Sequence, residues 1–159
     1  MRNAKQFIVT LLVASSFGSF AQIPERTANP KLIAVVNRAN WCGVCKANAE
    51  RFTAVLIPYS ANGVNIYIND LTNEKTKAIS NLELEKDNVY EAVYTIRRKG
   101  MGKALKSCGV IKDKKQTTDV AGIVTFIDPA THKQIKQLSI AASDVEMKKT
   151  INKLLNSAL

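Results

Sequence analysis

The stretch "KLIAVVNRANWCGVCKANAERF", residues 31–52, contains two of the chain's three cysteines, Cys42 and Cys45, with two residues between them. It opens with Lys31 to Asn37, a short apolar run rich in β-branched residues, which predicts a buried strand. From Cys45 onward, Ala49, Phe52 and Leu56 recur at helical spacing, with polar Lys46, Asn48 and Glu50 between them. Pro58 and the following "SANG" are expected to end that helix. Val64 to Asn69, "VNIYIN", alternates in polarity and predicts a second strand. Strand, helix and strand in succession form a crossover unit, so the two strands are expected to be parallel with a right-handed connection. The cysteines then fall where the first strand ends and the helix begins, the place where open α/β sheets carry their chemistry.

Two residues between cysteines close too short a loop to remove much entropy from the unfolded chain. The pair therefore reads as chemical rather than architectural. Thiol–disulfide exchange needs one thiolate to attack and a second thiol close by to release the mixed disulfide. At a helix start, unpaired backbone N–H groups and the positive end of the helix stabilise a thiolate on Cys42. Cys45, one turn further in, is expected to be buried. The competing reading is metal. Zinc ordinarily takes four ligands, and the rest of the chain offers only Cys108 and a single histidine, His132. Copper(I) could accept two thiolates, so a copper-handling role stays open beside redox chemistry. We expect no metal and no cofactor.

Leu71 to Ala121 is too long for one unstructured loop in a compact domain, and helical patterns divide it. Thr72 is a candidate cap for a segment carrying Ala78, Ile79 and Leu82. Asn88 and Glu91 imitate a capping box ahead of Val93 and Ile96; "RRKG" closes that helix, and a strand through "EAVYTI" is the alternative. Met101, Leu105 and Cys108 mark a further short helix, where Cys108 reads as a buried small hydrophobe or a third redox thiol. Residues 122–128, "GIVTFID", and Gln134 to Ile140 predict a β-hairpin turning at Asp128-Pro129. Ser143 and Glu146 suggest a capped terminal helix whose apolar face is Met147, Ile151, Leu154 and Leu155.

Arg2 and Lys5 precede the uncharged stretch Phe7 to Phe20, and Ser19-Phe20-Ala21 has the small-x-small form of a cleavage site. This pattern predicts a secretory signal peptide over residues 1–21 and one domain over 22–159. The apolar run is short for a membrane span, so no stable span is expected after cleavage. A periplasmic or secreted location follows. The net charge of +10 is compatible with acidic partners, but the lysines are dispersed and no aromatic–basic interleaving points to nucleic acid.

The run Trp41-Cys42-Gly43-Val44-Cys45-Lys46 after a buried strand resembles the W-C-G-P-C-K motif of the thioredoxin family, and the later elements follow the family's order. The resemblance implies an α/β thioredoxin-like fold, a mixed sheet ordered 2-1-3-4 and flanked by helices, with an enlarged helical region before the C-terminal hairpin. It implies Cys42 as nucleophile, Cys45 as resolving cysteine, and Trp41 as an apolar shelf, with Gly43, Val44, Ile123 and Val124 lining the substrate site. It also implies protein thiols and disulfides of the cell envelope as substrates, and a separate redox partner. Three positions depart from the family: Val44 replaces the motif's proline, Val36 stands where a buried aspartate is usual, and Ile123-Val124-Thr125 matches the family's I-P-T. A cis peptide bond before Val124 would cost about 3–4 kcal/mol, so a trans bond is expected there.

Overall fold

The computed structural model describes residues 25–94 and 120–157. Strand β1 (Leu32–Arg38) leads into helix α1 (Gly43–Leu56), which continues as a 3-10 turn (Ile57–Asn62). Pro58 sits in the first turn of that segment, where it forfeits no needed N–H, and the chain leaves it at Gly63 with φ +86°. Strand β2 (Val64–Asp70), helix α2 (Glu74–Lys86) and the short helix α3 (Tyr90–Tyr94) follow, then the hairpin β3 (Ile123–Asp128) and β4 (Lys133–Ser139), and helix α4 (Asp144–Ser157).

The four strands form one sheet in the order β2-β1-β3-β4. β1 runs parallel to β2, Leu32 opposite Val64, and antiparallel to β3, Val36 opposite Val124. Sheet order and strand directions agree with the order 2-1-3-4 that the resemblance implied, in an α/β fold whose mixed sheet is flanked by helices. β1 is buried almost throughout because helices cover both faces, and its alternating side chains divide between them. Leu32, Ala34 and Val36 join Phe52, Leu56, Val124, Phe126, Met147 and Ile151 under α1 and α4. Ile33 and Val35 join Tyr67, Leu84, Val89, Val93 and Ile127 under α2 and α3. Phe126 is fully buried at the centre of the first cluster; truncating such a side chain to alanine costs roughly 3–5 kcal/mol.

Arg51 joins α1 to the start of α4. Its guanidinium donates to the carbonyls of Ile140 (2.8 Å) and Ala142 (3.0 Å) and pairs with Asp144. Ser143 accepts the Glu146 N–H at 3.2 Å, as its capping pattern suggests.

Three expectations in the middle of the chain are corrected. The cap of α2 is Asn73, which accepts the Thr76 N–H in a reciprocal capping box. Thr72 instead accepts the Asn40 N–H at 3.0 Å. Ile79 and Leu82 are 59% and 67% exposed, while Ser80 and Leu84 face inward; starting the helix one residue later rotates the buried stripe away from them. Asn88 has φ +57°, the left-handed conformation of a turn rather than that of an N-cap. Glu91 to Tyr94 is helical, not extended. The expectations for Ile96, the "RRKG" stop, Met101, Leu105 and Cys108 lie outside the described residues.

Candidate redox site

Cys42 is the N-cap of α1, in extended conformation with φ −83° and ψ 107°. Its backbone carbonyl accepts the Lys46 N–H at 3.1 Å, the first bond of the helix. Its sulfur accepts the Cys45 N–H at 3.2 Å, filling the role that a serine or aspartate oxygen has at most helix starts. The same donor, with the rest of the helix's first turn, is in place to stabilise a thiolate on Cys42. Cys42 and Cys45 are joined in a disulfide with Cα atoms 5.2 Å apart. Cys42 is half-buried, whereas Cys45 is 7% exposed and packs with Val36, Phe52 and Ile140 in the core. The helix thus sorts the two sulfurs, one reachable from outside and one shielded.

Trp41 is 59% exposed, yet its indole N–H donates to the Leu71 carbonyl at 3.2 Å. The ring is therefore pinned at its polar end and presents an apolar surface beside the cysteines. The loop after β2 supports it. Asp70 accepts the Thr72 N–H at 2.9 Å and pairs with Arg38 at 3.0 Å. Burial alone would raise the Asp70 carboxyl, but the hydroxyl and backbone N–H of Thr72 and the Arg38 guanidinium outweigh it and hold it below the ordinary range. Val44 is exposed, and a Cβ at Gly43 would meet nothing within 4 Å among the described residues.

On the sheet side the neighbour of Cys42 is Gly122. A Cβ at Gly122 would lie 3.5 Å from the Cys42 sulfur and 3.7 Å from Val44 Cγ1. Ile123 is half-buried on the next position. Val124, which the I-P-T match set beside the cysteines, is fully buried in the core opposite Val36, and no peptide bond among the described residues is cis. The two-residue offset arises because β3 pairs with β1 from Ile123 onward, leaving Gly122 at the sheet's end, where the chain passes the helix start. A glycine directly before a buried strand is the sequence signal for such a close approach.

Gly122 is held by β1. Its N–H donates to the Asn37 carbonyl at 2.7 Å, and its carbonyl accepts the Ile140 N–H at 3.0 Å. The Asn37 side chain donates to the Val120 carbonyl at 3.1 Å and accepts from Asn69 Nδ2 at 3.0 Å. Asn69 Nδ2 also donates to the Tyr94 hydroxyl at 3.1 Å, and that hydroxyl donates to Asn81 at 3.1 Å. Asn37 and Asn69 are buried. This amide network, in which sequence reading had no part, ties the entry to β3 to the strand that ends at the cysteines.

Val36, at 4% exposure, packs beneath Cys45 as an ordinary core residue. An apolar groove of about 650 Å³ opens beside Cys45 between α1 and β2. A more polar cavity of about 510 Å³, bounded by Thr27, Lys31, Ser60 and Asn156, lies past the far end of α1. Among the described residues there is no cluster of three or more potential metal ligands and no helix long and apolar enough to cross a membrane.

No family model matches the chain, and no curated protein matches its sequence. Among solved structures, the crystal structure of Trxlp from Edwardsiella tarda EIB202 is similar at 12% identity and a TM-score of 0.37, over 77% of this chain and 82% of that one.

Proposed function

We propose that this protein is an exported thiol–disulfide oxidoreductase that exchanges disulfides with proteins of the cell envelope, acting in the reducing direction. One observation carries the reading: a disulfide-linked pair at a helix start, with Cys42 reachable at the N-cap and Cys45 shielded one turn in. In the reduced protein, the Cys42 thiolate attacks a client disulfide. One client sulfur leaves as a thiolate, and a mixed disulfide forms between Cys42 and the other. Cys45 then gives up its proton, attacks Cys42 and closes the Cys42–Cys45 disulfide, releasing the second client thiolate. The client is reduced by two electrons and the pair is oxidised by two; a separate thiol donor must restore it. Trp41, Gly43 and Val44 form the exposed collar that a client would meet.

Arg2, Lys5 and the Ser19-Phe20-Ala21 segment support export, with the mature chain starting at Gln22. Reduction of insulin by the dithiol form, with mass spectrometry of the envelope fraction, tests activity and location separately. Failure of Cys42-dependent reduction would end the enzymatic reading. A second reading, a non-enzymatic thioredoxin-fold module for chaperoning or copper handling, draws support from Val36, an apolar side chain where proton transfer to or from Cys45 would profit from an ionisable one.

A further inference from the structure

The groove beside Cys45 has two walls of different kinds. On one side are Ala49, Phe52, Thr53 and Ile57 of the helical flank; on the other are Ile66 and Ile68 of β2. β2 is the last strand of the sheet on that side, and no strand among the described residues pairs with its outer edge. Ile66 and Ile68 are two apart, so both point to the groove face, and a strand laid along β2 would send alternate side chains, roughly 6.6–7 Å apart, into the same space. The end of the groove at Cys45 is rimmed by Arg38 and Lys46. The Arg38 charge is matched by Asp70, whereas Lys46 is exposed and in no ion pair among the described residues.

We propose that this groove and the edge of β2 together dock an extended client segment with apolar side chains at alternate positions and an acidic residue at the end nearest the cysteines. The occupant is chosen by the chemistry of the walls: a strand edge unpaired among the described residues for its backbone, an aliphatic trough for its side chains, and the exposed Lys46 ammonium on a chain of net charge +10 for its carboxylate. The site lies on the Cys45 side of α1, and neither Gly122 nor Cys42 lines it. It binds a client segment remote from the attacked disulfide and holds the client while exchange proceeds. The proposal rests on the oxidoreductase reading for the identity of the client, but docking itself needs no thiol.

The test uses the oxidised protein and a fluorescein-labelled peptide of alternating valine and threonine with two aspartates at one end, followed by fluorescence anisotropy. Saturable binding is expected, at least tenfold weaker with Ile68→Glu and with Ala49→Glu. Ala49 is exposed, so its variant folds even if the strand variant does not; thermal melting checks both. Lys46→Glu is expected to favour a lysine-ended version of the peptide over the aspartate-ended one. Equal binding by the parent and the folded groove variants overturns the proposal, as does a dimer in sedimentation that Ala49→Glu dissolves, because the groove then belongs to a second copy. Insulin reduction without peptide binding sinks the docking site alone. Peptide binding without reduction supports the docking site and sinks the oxidoreductase reading.

Discussion

Gly122 faces Cys42 across the end of the sheet, with its Cα hydrogen where a Cβ would come within 3.5 Å of the sulfur. Its φ of +85° is left-handed, a conformation that costs an L-residue roughly 1–2 kcal/mol. Gly122→Val is expected to lower stability by about that much and to slow insulin reduction by more than tenfold, because its outer methyls stand over Cys42 and Val44. Gly122→Ala carries the backbone cost with less obstruction. Thermal melting and reduction rates separate the two effects. Unchanged rates in Gly122→Val would show that clients approach the sulfur from another side.

The sorting of the sulfurs by α1 leads to an asymmetry between single-cysteine variants. Cys45→Ser keeps the attacking sulfur at the helix start and removes the resolving one, so mixed disulfides with clients are expected to accumulate. Of the pair, Cys42→Ser leaves only Cys45, a residue at 7% exposure, and is expected to trap almost none through it. Non-reducing gels followed by mass spectrometry read the difference. Equal trapping by the two variants would contradict the roles assigned here.

Asn69 is fully buried, and its Nδ2 donates to both Asn37 and Tyr94. Its own Oδ1 has no partner among the described residues. Asn69→Leu removes two donors and leaves the Asn37 side-chain Oδ1 short of a partner in the interior. The expected loss is about 2–3 kcal/mol in urea unfolding. Because Asn37 also holds the chain at Val120 and Gly122, exchange is expected to slow as well. A variant as stable as the parent would mean that the network contributes little.

The strand–helix–strand unit around the cysteines was legible because three local signals agreed: a β-branched run, helical spacing after Cys45, and an alternating second strand. The crossover rule predicted the parallel pair and the turn residues the hairpin, whereas the order of the sheet was implied by the resemblance carried by the Trp41 to Lys46 motif. The setting of Cys42 was less legible. Gly122, Asn37 and Leu71 reach the site from three separate strand ends, and each acts through backbone or amide groups that leave no periodic pattern. The I-P-T comparison pointed to Val124 because it matched residue types, whereas β-pairing with Val36 carries that residue into the core. For α2, the exposure of Ile79 and Leu82 shows how a one-residue change of helix start defeats a stripe read from apolar spacing alone.

Tyr67 supplies the last expectation, at alkaline pH. Arg26 lies over its ring, Cζ 3.8 Å from the centroid, and also pairs with Glu83 and, at 3.5 Å, with Asp87. The Tyr67 hydroxyl donates to Asp87 at 3.0 Å. Burial, then that hydrogen bond, pushes the phenol up from 10.0 to about 12, although the nearby guanidinium opposes the rise. The folded state thus holds this proton more tightly than the unfolded chain. A group raised in this way contributes stability that is complete below its unfolded value and is lost as pH rises towards its folded one. The contribution is therefore expected to be intact at pH 8 and to disappear between about pH 10 and 12, a loss of roughly 1–2 kcal/mol. Lysines titrate in the same window, so the comparison that counts is with Tyr67→Phe. That variant loses the Asp87 bond and starts less stable, but its urea midpoint is expected to fall less steeply above pH 10. Parallel pH curves for the two proteins would show that the phenol is not the group responsible.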